Sequence, residues 1–172
     1  MADVRLVPWS DDDLATLQRG NTPEMMANLG GPETDEALAA RHERYLRFWR
    51  EGSARMFRIV IEGHPEGVGS IGYWRREIPG ESNALECGFS VESAYQGRGI
   101  ATRALLVLIA DARARGETGR LWAYPRVDNV GSNAICGKAG FRLEGQEEFE
   151  YPPGNWQTSN NWVYDLAEPS PS

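Results

Sequence analysis

The fold class predicted for this chain is α/β, one domain built on a mixed sheet. Three observations point there. Apolar alternation of period two comes first in a run of strands, then strand and helix patterns take turns. Residues 85–102, LECGFSVESAYQGRGIAT, pass from a strand through a glycine turn into a long apolar helix. The next strand pattern, 120–124, follows that helix, so the two strands flank a crossover and are expected to run parallel.

Residues 4–7 form a short first strand that Pro8 stops. Ser10 caps a helix through Gln18, with Asp11, Asp12 and Asp13 in the first turn where the helix dipole favours acids. That acid run reads as structural first and substrate-attracting second. Residues 20–32 are broken by Pro23, Gly30, Gly31 and Pro32, with a helical turn through Met25 and Met26. Thr34 caps a helix over 35–50 with the apolar stripe Leu38, Tyr45, Leu46 and Trp49; His42 shares that face as a packed histidine, and Gly52 ends the helix.

Residues 55–61 and 68–76 are strands joined through Gly63-His64-Pro65-Glu66-Gly67, with His64 solvated at the tip. After a loop over 77–83 comes the third strand of a meander, where Leu85, Cys87, Phe89 and Val91 alternate with Glu86, Gly88 and Ser90. The helix that starts at Gly97 ends near Gly116, and 120–124 places Trp122 and Tyr124 on one face before Pro125. A short helix over 132–139, a strand over 141–150, a loop over 151–160 and a last strand over 161–166 complete the domain. The domain spans 1–167, and the Pro- and Ser-rich residues 168–172 read as a flexible tail.

With 172 residues the chain can bury one real core. Its net charge of −7 argues against nucleic acid, whose binding rests on Lys and Arg neutralising phosphates. A cationic partner is attracted instead. Cys87 and Cys136 make no disulfide framework and read as reduced thiols of a cytoplasmic protein. No signal peptide is seen at Met1-Ala2-Asp3, and no apolar run approaches the roughly 20 residues of a membrane span, so no membrane partner is expected. Metal-ligand spacing is absent among the His, Cys and acidic residues, so no metal is expected.

The glycine turn is the chemical centre. Unpaired N–H groups and the positive end of a helix dipole make an anion trap, and glycines let a diphosphate approach the backbone. A dinucleotide fingerprint needs glycine where Thr102 stands, and the Gly-Lys-Ser/Thr ending of a P-loop is missing. Gln96-Gly97-Arg98-Gly99-Ile100-Ala101 instead resembles the Q/R-x-x-G-x-G/A signature of the Gcn5-related N-acetyltransferases, with their valine, here Val91, five residues before the Gln. Asn129-Val130-Gly131-Ser132 and Gly140-Phe141 resemble the N-x-x-S and terminal G-F of the branch of ribosomal-protein N-terminal acetyltransferases.

The resemblance covers residues 55–166 and implies an acetyltransferase fold, with the two central parallel strands splayed to take acetyl-CoA as cosubstrate. It implies coenzyme contacts from Phe89, Ser90, Val91, Gln96, Gly97, Arg98, Gly99, Ile100, Ala101, Thr102, Asn129 and Ser132, with the Phe89 N–H as oxyanion donor. Without a G-x-S-x-G elbow or a plausible Ser–His or Cys–His triad, direct attack by an amine in a ternary complex is expected. Glu86 is the candidate general base, against the alternative of an exposed strand-face acid. The acid is Ser132 or Cys136, whose structural alternatives are a helix N-cap and a small buried hydrophobe. Trp74, Tyr151 and Trp156 are candidate substrate walls. The acceptor is a small amine or a peptide N-terminus, an antibiotic or amino-acid amine being the runner-up, and the protein a monomer or homodimer. A coenzyme-binding sensor without turnover is the rival reading.

Overall fold

The antiparallel meander and the parallel pair are both present in the computed structural model, which describes residues 3–151 and 153–168. Strands β1 (Val4–Pro8), β2 (Ala54–Ile61), β3 (His64–Arg75) and β4 (Leu85–Val91) are antiparallel to one another in sequence order. Strand β5 (Arg120–Ala123) runs parallel to β4, and the hairpin of β6 (Arg142–Glu150) and β7 (Trp156–Asp165) joins through β7. The sheet order is β1-β2-β3-β4-β5-β7-β6.

Helices α1 (Leu14–Gly20) and α2 (Asp35–Glu51) bury Leu17 and Leu38 with Trp9 and Met56 on one face of the sheet. The other face carries α3 (Ile100–Ala114) and α4 (Val130–Lys138), whose Ala104, Leu105, Leu108, Ala112 and Cys136 are fully buried against β1 to β5. Each leucine buried there contributes about 1.5–3 kcal/mol. Asp111 of α3 receives both Arg55 Nε at 2.9 Å and Arg55 Nη2 at 3.1 Å, and Tyr73 Oη donates to it at 3.0 Å, which ties α3 to β2 and β3.

Several boundaries differ from the expectation, each for a local reason. Pro8 belongs to β1, opposite Phe57, because an edge strand tolerates a residue that cannot donate outward. The helix expected from Ser10 opens as a 3₁₀ turn, Asp11–Asp13, before α1. Asp13 is the buried member of the acid run: it accepts from the Ser10 N–H at 2.9 Å and pairs with Arg58 at 2.7 Å. The β2–β3 hairpin turns at Glu62 and Gly63 (φ 83°), so His64 opens β3 rather than capping the tip. His64 is not simply solvated, since its Nδ1 lies 3.1 Å from Glu66 and 3.2 Å from the Tyr95 hydroxyl. His42 is buried and accepts from Trp9 Nε1 at 3.0 Å, as a packed histidine should.

The expected loop over 151–160 is mostly strand. Trp156 already pairs with Glu150, and the polar run Gln157 to Asn161 continues the β6–β7 ladder without an apolar alternation to announce it. Of the expected tail, Glu168 is tied down through its carbonyl to Arg113, while residues 169–172 lie outside the described residues, as does Pro152.

Candidate active site

Only Leu85↔Leu121 and Glu86↔Trp122 join β4 to β5, and beyond them the two strands part. The phase of β4 decides which backbone groups this frees. On the β3 side, the Ala84 carbonyl accepts from Arg76 and the Glu92 N–H donates to Val68. Even-numbered residues of β4 therefore turn their backbone toward β3, and Phe89 and Val91 turn theirs into the gap. Ser90, an expected coenzyme contact, turns its backbone to Ser70 of β3 instead.

The gap opens onto the glycine turn. Gly97 and Gly99 both take φ 77°, a left-handed conformation that delays α3 until Ile100 rather than letting it start at Gly97. A Cβ on either glycine would meet no protein atom within 4 Å, so the space over the turn is open. Gly99 is the N-cap and offers no side chain, and the amides of Ile100, Ala101 and Thr102 have no helical carbonyl before them. Gln96 has a different job from its glycine neighbours. Its Nε2 donates to the Val91 carbonyl at 2.8 Å, which fastens the turn to the end of β4 and explains the spacing of five. The Arg98 guanidinium lies 5.5 Å from the Tyr95 ring and off the cavity wall.

Turn and gap share one cavity of about 900 Å³, at the upper end of small-molecule sites. Phe89, Ser90, Val91, Gln96, Gly97, Gly99, Ile100, Ala101 and Thr102 line one part of it, with Asn129 and Ser132 from the start of α4. The N-cap of α4 is Asn129, whose Oδ1 accepts from the Ser132 N–H at 3.1 Å, so Ser132 sits in the first turn and is not the cap. Asn133 anchors this corner: its Nδ2 donates to the carbonyls of Arg126 and Asn129 at 2.8 Å, and its Oδ1 accepts from Asn160 and Trp162 at 2.8 Å.

The far walls come from Glu24, Met25, Asn28 and Leu29, from Tyr124 and Arg126, and from Phe149, Glu150 and Tyr151. Of the expected substrate walls, Tyr151 lines the cavity. Trp156 is 65% exposed and off the cavity, and Trp74 packs beside the Trp9, Leu17, Leu38 and Met56 cluster. Cys136 is fully buried behind the wall, and burial pushes its thiol up to about 12. Cys87 is likewise buried, and both cysteines are free thiols.

Glu86 stands on the sheet face opposite Cys87, paired with Arg76 and off the cavity wall. Arg76 in turn covers the ring of Tyr124, 4.3 Å from its centroid. Burial pushes the Tyr124 phenol up to about 12; Arg76 opposes that, while Glu86, Glu147 and Glu81 add to it. Tyr124 therefore presents a neutral phenol at physiological pH. Tyr124, which lines the cavity, and Arg76, which covers its ring, were not among the expected site residues. A legible signal existed for Tyr124, an aromatic residue immediately beyond a strand that flanks the glycine turn.

A glycine turn with unpaired amides beside a splayed parallel strand pair, on a mixed sheet with helices on both faces, places this chain among α/β domains. A family model described as an acetyltransferase (GNAT) domain matches residues 3–142, and the chain belongs to this family. The ribosomal-protein-serine acetyltransferase of Escherichia coli (strain K12) is 39% identical over 103 residues, covering 58% of this chain and 55% of that protein. The chain thus matches about half the length of this curated relative.

Among solved structures, a ribosomal L7/L12 alpha-N-protein acetyltransferase in complex with coenzyme A superposes with a TM-score of 0.80 at 22% identity, covering 95% of this chain and 94% of that one. A ribosomal-protein-S5-alanine acetyltransferase from Vibrio fischeri gives 0.76 at 23% identity, with 99% and 96% covered. These two likenesses concern the fold. No helix among the described residues is long and apolar enough to cross a membrane, and these residues contain no cluster of three metal-ligating side chains.

Proposed function

We propose that the protein is a cytoplasmic N-acetyltransferase that moves an acetyl group from acetyl-CoA to a primary amine, with a peptide N-terminus as the favoured acceptor. The observation that carries this reading is the open gap at Phe89 and Val91, continuous with the glycine turn and the N-terminus of α3. The peptide acceptor is supported by the name of the Escherichia coli relative.

Acetyl-CoA supplies an activated thioester. Gly97, Gly99 and the amides of Ile100, Ala101 and Thr102 fit its diphosphate, because the turn is open and its donors unpaired. Free backbone groups of Phe89 and Val91 suit the amides of its arm, and Asn129 borders the same space. The Phe89 N–H is assigned to the negative charge that develops on the acetyl oxygen. Glu86 takes a proton from the acceptor ammonium, directly or through water. The freed lone pair attacks the acetyl carbon to give a tetrahedral oxyanion, whose collapse breaks the C–S bond. The second proton lost by the nitrogen passes to the Ser132 hydroxyl as Ser132 gives its own to the leaving sulfur, so amide and thiol are released.

A panel of amines and serine-initiated peptides incubated with acetyl-CoA tests the reaction, with free thiol and acetylated product as readouts. Stoichiometric thiol and acetyl-peptide are expected. Tight coenzyme binding without thiol release from any amine would favour the sensor reading instead.

A further inference from the structure

Three groups from distant parts of the chain converge on the guanidinium of Arg76. Its centre lies 4.3 Å from the centroid of the Tyr124 ring, one of its nitrogens is hydrogen-bonded to Glu86, and another stands 3.9 Å from Glu147. Glu86 belongs to β4, Tyr124 follows β5, and Glu147 belongs to the edge strand β6. They share one face of the sheet: Glu86 lies opposite Trp122, and the Trp122 and Tyr124 rings are parallel within 5° at 6.1 Å.

An aromatic face flanked by two carboxylates is the chemistry that recognises a cation. Tyr124 is part of the cavity wall, whereas Glu86 is off it, with Arg76 bound to both. Arg76 holds one oxygen of Glu86, Oε1, and covers the Tyr124 ring, so it occupies the place from which a single cation reaches both.

We infer that Tyr124, Glu86 and Glu147 form the subsite for the acceptor's ammonium group, and that Arg76 fills this subsite until the acceptor displaces it. The inference rests on the amine-acetylation reading above and specifies how the acceptor enters. Exchange of one cation for another leaves neither carboxylate without a partner, so it avoids the cost of an uncompensated charge. Arg76 is able to leave because its side chain is 39% exposed and opens the loop after β3, and a partly exposed ion pair holds it only weakly. Once the ammonium has docked on the ring, its proton passes to Glu86 and the neutral nitrogen turns to the thioester. Arg76 thereby sets a threshold that a neutral molecule, with no charge to offer the two carboxylates, does not cross.

The test compares wild type with Arg76→Ala, Arg76→Lys and Tyr124→Leu, using a serine-initiated tripeptide amide as acceptor. KM, kcat and the thermal shift produced by acetyl-CoA are measured for each. Removing the competing guanidinium should lower the acceptor KM by about two- to tenfold and raise kcat/KM accordingly. Arg76→Lys, which keeps a cation, should stay within about twofold of wild type, and Tyr124→Leu should raise KM by about two- to fivefold. All variants should retain the acetyl-CoA shift. A KM that is unchanged or raised in Arg76→Ala, while wild type turns over, would overturn the subsite and make Arg76 a residue that positions Glu86. Absence of turnover by wild type with every amine would instead overturn the reaction itself, and the subsite with it.

Discussion

At the glycine turn the ligand-facing groups are backbone: the amides that open α3, the open space over Gly97 and Gly99, and the unpaired edge of Phe89 and Val91. Around Tyr124, which lines the same cavity, the groups are side chains: Arg76, Glu86 and Glu147, from two strands and a loop. A backbone site is set by local conformation, so it is rigid, compactly encoded and intolerant of a Cβ. A side-chain site depends on the packing of remote segments, so single substitutions retune it without disturbing the fold. In the proposed reading, coenzyme binding belongs to the first region and acceptor choice and proton transfer to the second.

The largest effect that would sharpen this division is expected at Glu86. Glu86→Gln should lower kcat by about 10² to 10⁴-fold, as loss of a general base does, while leaving the KM for acetyl-CoA close to wild type. Raising the pH should recover part of the rate as more acceptor is present as free amine. A pH–rate profile identical to wild type would make Glu86 a spectator.

A smaller effect is expected where the leaving sulfur is protonated. A thiol of pKa about 8.5 departs readily, so loss of the acid should cost about tenfold. Ser132 borders the cavity and Cys136 does not, which favours Ser132→Ala as the slow variant and Cys136→Ala as one with near-normal turnover. Initial rates of equally folded variants decide between them, and slow turnover confined to Cys136→Ala would reverse the assignment.

The smallest effect concerns stability alone. Because burial raises the Cys136 thiol to about 12 in the folded chain, the folded state keeps a proton that the unfolded state releases. Stability from this group is fully present below about pH 8.5 and falls as pH rises toward the folded value, by about 1.4 kcal/mol at pH 9.5. Denaturant titrations at pH 8 and pH 9.5 should show that decline reduced in Cys136→Ala. An equal decline in both proteins would contradict the burial account.

The same contrast explains what the sequence disclosed. The spacing of Val91, Gln96, Gly97 and Gly99 is legible because one side-chain-to-backbone bond and two positive φ angles enforce it locally. The meander and the crossover followed from period-two alternation and helix length. The β7 segment over 157–160 escaped because its residues are polar on both faces and carry no apolar alternation. The carboxylate of Glu86 was identifiable as a strand-face acid, yet its partner Arg76 was not, since nothing in the sequence near residue 76 records that β5 and β6 bring Tyr124 and Glu147 to it. Trp74 and Trp156 show the opposite failure, as aromatic residues that tertiary packing placed away from the cavity.

The division between a backbone coenzyme site and a side-chain acceptor site is tested most directly by the thermal shift that acetyl-CoA gives to wild type, Gly99→Val and Glu86→Gln, each against its own ligand-free transition. At a hundredfold excess over Kd, wild type and Glu86→Gln should both gain about 2.7 kcal/mol. Gly99→Val should gain nothing while remaining folded, because its side chain takes the diphosphate's place and valine resists a φ of 77°. A folded Gly99→Val that retains the full shift, or a Glu86→Gln that loses it, would contradict the account.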